Sequence, residues 1–94
     1  MADFEWDPMK AEANLRKHRV TFDFATNVFS DPNCVESPDP EDHEGEERWL
    51  GIGQAQEFVL VVVFTLRQDV IRIISARRAD RYEYIRYWTG EIQA

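Results

Sequence analysis

Phe4, Glu5 and Trp6 alternate apolar, acidic, apolar, the period of a short edge strand. Asp7-Pro8 follows. An Asp side chain accepts from the orphan amides of a helix start, and Pro at the first helical position gives up no hydrogen bond, so a helix is predicted from Pro8 to about His18. Ala11, Leu15 and His18 would form its inward stripe. Thr21 is the next helix start, with Phe22, Ala25, Val28 and Phe29 as the apolar stripe and Asp31-Pro32 as the stop. The stretch 37–47, with Pro38, Pro40 and a run of acids, reads as loop. Arg48 to Gly53 alternates again as a strand. Phe58 to Thr65 is continuously apolar and β-branched, the mark of a central strand covered on both faces, and Val70 to Ala76 is its antiparallel neighbour across a turn at Arg67-Gln68-Asp69. A last helix is expected from Arg78 to Trp88, with Ala79, Tyr82, Ile85 and Trp88 inward and Gly90 as its stop. The pattern predicts one α+β domain over residues 1–94. Two N-terminal helices and one C-terminal helix would lie on one face of an antiparallel or mixed sheet of four to five strands.

Charge changes this picture only when it is divided along the chain. The net charge of −7 over 94 residues argues against a polyanionic partner. Yet Asp31 to Glu47 holds eight acids and no Lys or Arg, whereas from Arg48 onward seven Arg stand against five acids. The acidity belongs to one segment, and the remainder can still present a basic face. The single cysteine, Cys34, forms no internal disulfide, which fits the reducing cytoplasm. The N-terminus has no signal-type apolar stretch, and the longest apolar run, Phe58 to Phe64, is far short of the ~20 residues of a membrane helix. Neither membrane attachment nor a metal or other cofactor is expected.

The residues also carry a spaced motif. FEWDPMKAEANLRKHRVTFDFATNVFSDP, positions 4–32, resembles the N-terminal half of BrnT-type toxins, whose pattern reads F-E-W-D-x-x-K-A-x-x-N-x-x-K-H-G-V-x-F-x-x-A-x-x-V-F-x-D. Glu47-Arg48, Ile52-Gly53, the Val-Val-Phe-Thr-x-Arg segment ending at Arg67, Ile71 to Arg77, then Ala79, Glu83 and Tyr87 continue it in order. The resemblance implies a RelE-like fold, endoribonuclease toxicity, and silencing by a cognate ribbon-helix-helix antitoxin, through which alone DNA would be contacted. Arg19 replaces the Gly that the pattern has after Lys-His, and Gln54 to Glu57 lacks a Gly-Arg pair. A second reading is therefore a catalytically weak homologue that serves as the antitoxin's partner in operon autoregulation.

Cleavage of RNA without a metal uses the substrate's own 2′-hydroxyl and needs proton transfer together with positive charge at the phosphorane. Arg48, Arg67 and Arg77 are the candidate transition-state cations, since a guanidinium offers a rigid two-pronged fork to phosphate. Lys17 and His18 are the acid–base candidates, although His18, in the last turn of a helix, is equally explained as a cation favoured by the helix dipole. Arg72 is a candidate RNA contact, and Tyr84 and Tyr87 are candidates for stacking on unpaired bases, with Tyr82 and Trp88 assigned to the core. Glu83 is read as an ion-pair partner for Arg77 or Arg86 rather than as a base.

Overall fold

The computed structural model describes residues 3–41 and 45–90, so His43, in the acidic segment, lies outside the described residues. Five strands form one mixed sheet in the order β1-β5-β4-β3-β2: β1 (Asp3–Glu5), β2 (Val35–Pro38), β3 (Trp49–Ala55), β4 (Phe58–Arg67) and β5 (Val70–Arg78). β1 runs parallel to β5, and the other pairs are antiparallel. Three helices complete the chain: α1 (Pro8–His18), α2 (Phe22–Ala25), which runs on into a 3-10 turn at Thr26–Ser30, and α3 (Arg81–Thr89).

Local chemistry sets these boundaries. The Asp7 carboxylate accepts the Met9 amide at 2.9 Å, and Thr21 Oγ1 accepts the Phe24 amide at 3.0 Å, so both predicted helix starts stand. Helix α1 ends on Arg19 at φ 60°, a left-handed residue that glycine would adopt without strain. Its inward side keeps Ala11, which packs against the core, and the half-buried His18 of the predicted stripe, but Leu15 is exposed and Asn14 is buried. Asn14 Nδ2 donates to the Val20 and Ala76 carbonyls at 3.0 and 2.8 Å, and Oδ1 accepts the Ala76 amide at 3.1 Å, so the side chain fastens α1 to β5. A buried amide satisfied in this way costs little, and left unpaired it would be strongly unfavourable.

The helices occupy both faces of the sheet, not one. Leu60 and Val62 of β4 pack with Phe22, Ala25, Val28 and Ile73 beneath α1 and α2, while the alternate residues Val59 and Val61 pack with Ile52 and Tyr87 beneath α3. Gly53 permits the first layer to close, since a Cβ there would sit 2.8 Å from Val28 Cγ1. Two further boundaries differ from expectation. Part of the predicted acidic loop is strand β2, and the last helix starts three residues later than predicted because Arg77 and Arg78 extend β5. The Ala79 amide then donates to the Val59 carbonyl at 2.9 Å before Asp80 caps α3. The β4–β5 ladder is interrupted once: Val63 pairs with Ser75 and Phe64 with Ile73, which leaves Ile74 as an extra residue.

Candidate functional site

Strand alternation decides which face each cation occupies. Val59 and Val61 point to α3, so Thr65 and Arg67 further along β4 do as well. Arg72 lies opposite Thr65 and Arg77 opposite Val61, and cross-strand partners share a face. Trp49 pairs with Phe64 on the α1 side, which turns the preceding Arg48 to the α3 side. Arg48, Arg67, Arg72 and Arg77 therefore all stand on the face that carries α3. Helix α3 covers only the part built from Ile52, Val59 and Val61. Arg48, Arg67 and Arg72 gather beyond it, at the end of the sheet where β4 finishes.

Arg77 does not join them. Its partner Val61 is six positions back along β4 from Arg67, roughly 20 Å of strand, so the structure does not bring Arg77 together with Arg67. Its guanidinium is instead a fork on Glu83, at 2.7 and 2.8 Å, as the ion-pair reading of Glu83 anticipated. Glu83 also accepts the Asp80 amide at 2.9 Å, completing a capping box. Burial alone would raise the Glu83 carboxyl, but the Arg77 hydrogen bond and the Asp80 amide outweigh it and hold the group below its ordinary value. Arg77 is correspondingly pushed up, chiefly by the Glu83 hydrogen bond.

Each of the other three cations also meets a carboxylate. Arg72 Nη1 lies 2.9 Å from Glu5 Oε2. Arg67 Nη2 lies 3.4 Å from Glu46 Oε2, and Arg48 Nε lies 3.8 Å from Glu46 Oε1, so one carboxylate sits between two guanidinium groups. At that distance Arg48 Nε has an ion pair but no hydrogen bond, and the atom is buried. A phosphodiester bears the same charge as a carboxylate and presents similarly spaced oxygens, so this end of the sheet is suited to phosphate.

The remaining candidates disperse. His18 and Lys17 end α1, on the opposite face, and the sheet separates them from the arginines. The assignments of Tyr82, Trp88 and Tyr87 are reversed: Tyr82 and Trp88 are 57% and 58% exposed, whereas Tyr87 is 4% exposed and offers no ring face for a base. Tyr87 Oη donates to Asp31 Oδ2 at 2.6 Å, and Asp31 also accepts the Gln54 and Asn33 amides at 2.7 and 2.9 Å. Burial would raise Asp31, but these three donors hold it below its usual range, while burial and the Asp31 bond push Tyr87 up to about 12. Tyr84 remains exposed, edge-on to Trp88 at 6.0 Å.

Sequence reasoning passed over Asn14, Asp31, Glu46 and Arg86. Asn14 and Asp31 had a signal, since both stand at fixed polar positions of the BrnT-type pattern where neither helix periodicity nor capping of α1 requires them. Glu46 is one acid among eight and carried none. The curated proteins give no match to the chain. The family model described as ribonuclease toxin, BrnT, of type II toxin-antitoxin system matches residues 6–83, which include Arg48, Arg67, Arg72 and Arg77. Matched over most of its length, the chain belongs to the BrnT family of ribonuclease toxins of type II toxin–antitoxin systems.

Proposed function

We propose that the chain is a metal-independent endoribonuclease whose working surface is the end of the α3-bearing face where Arg48, Arg67 and Arg72 stand. The observation that carries this reading is the grip of Arg48 and Arg67 on one carboxylate, Glu46, in a member of a ribonuclease toxin family. A backbone phosphate of RNA takes the place of that carboxylate. The adjacent 2′-hydroxyl attacks phosphorus, the bond to O5′ breaks, and the hydroxyl proton passes through water to the departing oxygen. The products carry a 2′,3′-cyclic phosphate and a 5′-hydroxyl. The guanidinium groups supply fixed positive charge where the phosphorane becomes most negative, a role worth on the order of 100- to 1,000-fold in rate per well-placed donor. Arg77 acts at the edge of this surface, beside α3, and Tyr84 offers an exposed ring to an unpaired base on the flank of α3 that faces away from the arginine end.

Type II systems pair a toxin with a protein antitoxin. The partner proposed here is a ribbon-helix-helix protein that covers the arginine end and the exposed Tyr82, Ile85 and Trp88 of α3, and through which alone DNA is contacted. The test is cleavage of single-stranded RNA by the purified chain in EDTA, with analysis of the ends. Cleavage that yields cyclic phosphate ends, and is blocked by a 2′-deoxy substitution at the cut site, is expected. Activity lost on chelation and restored by magnesium overturns the reading.

A further inference from the structure

We infer that Arg86 is a further phosphate-binding residue of the ribonuclease surface; the inference rests on the function proposed above. Helix α3 is anchored at two points, by Glu83 on Arg77 of β5 and by Tyr87, which packs on Ile52, Val59 and Val61 and reaches Asp31. It therefore crosses the sheet from β5 toward β3 with Glu83 and Tyr87 downward. At 3.6 residues per turn, Arg86 and Tyr82 fall on one flank of that stripe, and Tyr84 and Trp88 on the other.

Chirality decides which flank faces the arginines. The Val59 carbonyl points to β5, where it accepts the Ala79 amide, while its side chain points to α3. For L-residues this places β5 to the right of an upward-running β4 seen from the α3 side, so α3 crosses from right to left. A right-handed helix crossing in that direction turns Arg86 and Tyr82 upward, toward the end that holds Arg48, Arg67 and Arg72. Tyr84 and Trp88 turn away from it.

The electrostatics of Arg86 differ from those of its neighbours. Arg48, Arg67, Arg72 and Arg77 each lie within 4 Å of a carboxylate, whereas among the described residues Arg86 has none. Its guanidinium carbon lies 5.9 Å from the centre of the Tyr82 ring. Arg86 Nε is buried and has no hydrogen-bond partner, the same condition as Arg48 Nε. Buried N–H donors of cations are seldom left without an acceptor, and two on the same face call for an anion. In a protein that handles RNA, that anion is a backbone phosphate next to the one between Arg48 and Arg67.

The experiment is binding of a single-stranded 2′-O-methyl oligonucleotide, which cannot be cut, measured by fluorescence anisotropy over a range of salt. Arg86→Met keeps the apolar stem and removes the charge. It should weaken binding about tenfold or more and lower the salt slope by about 0.7, the share of one single-strand phosphate contact, with the melting temperature little changed. Arg86→Lys should keep the slope. An Arg86→Met protein that binds with unchanged affinity and slope overturns the inference. If that variant does not fold, the Nε–Hε resonance of Arg86 in the unaltered chain decides: it should shift when the oligonucleotide is added, and an unmoved signal overturns the assignment. Failure of the unaltered chain to bind the oligonucleotide or cut RNA sinks the proposed function itself, whereas intact cleavage with an indifferent Arg86 sinks only this inference.

Discussion

Replacing Arg77 by Ala separates a fastening role from a catalytic one. The side chain makes two charge-assisted bonds to Glu83, at 2.7 and 2.8 Å, and so ties the last residues of β5 to the first turn of α3. Its partner is well buried, with the Glu83 side chain 13% exposed, but the Arg77 side chain is 40% exposed, so solvent screens much of the attraction. In the variant Glu83 keeps the Asp80 amide as a donor. The net loss should be about 1–2 kcal/mol, between an exposed pair and an unpaired buried charge. For a domain of this size that lowers the melting temperature by about 5–15 °C. The loss should depend on pH: a carboxylate held below its ordinary value adds stability above about pH 4, and that stability disappears as pH falls through the lowered pKa. Calorimetry between pH 3 and pH 7 on the unaltered chain, Arg77→Ala and Arg77→Ala/Glu83→Gln measures it. The double variant should recover part of the stability, because no charge is left unpaired. RNA cleavage by the folded variants is read in parallel. If Arg77 contacts phosphate, both lose on the order of 100-fold or more in rate. A melting temperature unchanged by Arg77→Ala refutes the fastening argument, and cleavage restored in the double variant refutes a phosphate role.

Two further outcomes concern stability. Tyr87→Phe deletes the bond to Asp31 and should cost about 1–2 kcal/mol at pH 7. Because the phenol is pushed up to about 12, the advantage of the unaltered chain over this variant should be full below about pH 10 and shrink as pH rises toward 12; a constant difference in urea midpoints across that range contradicts the assignment. Arg19→Gly relieves a left-handed, exposed residue at the end of α1 and should gain about 0.5–1 kcal/mol, read as a melting temperature higher by a few degrees. An unchanged or lower value means that the residue is not strained.

Elements with chemical punctuation were legible in the chain. Asp7-Pro8 and Thr21 placed α1 and α2 because a cap is a local event. The same logic was available for α3, where Asp80 and Glu83 carry capping-box spacing, but the apolar residues at 79, 82, 85 and 88 drew the helix start upstream. Three-residue spacing drifts around a helix, whereas Glu83 and Tyr87, four apart, form the true inward stripe. A polar Glu83 conceals that stripe because its partner, Arg77, lies on another element. Strand β2 was illegible for a different reason: Val35–Pro38 is short, ends in proline, and owes its form to pairing with β3. The placement of α3 was half legible. An unbroken apolar β4 demands cover on both faces, which conflicts with helices on one. Of the site, the arginines were visible as residue types, but their grouping depends on strand register, and the parts of Glu46 and Arg86 depend on neighbours that no local pattern specifies.

Arg72 and Arg77 stand an odd number of positions apart, and on an unbroken strand that parity sends two side chains to opposite faces. The extra residue at Ile74 absorbs one position and restores the match. Their common face is thus a matter of counting, independent of the chemistry of the residues between them. A homologue that lacked one residue of this segment would hold the two arginines four positions apart, matching the four steps from Thr65 to Val61, so β5 could pair with β4 without a bulge and keep both on the α3 face. One that gained a residue, with the present bulge unchanged, would turn either Arg72 or Arg77 into the apolar layer beneath α1 and α2, where Ile73 and Ala76 now lie. The tolerance of β5 to a change of length between its two cations is therefore one-sided: a deletion heals the bulge, and an insertion displaces a cation.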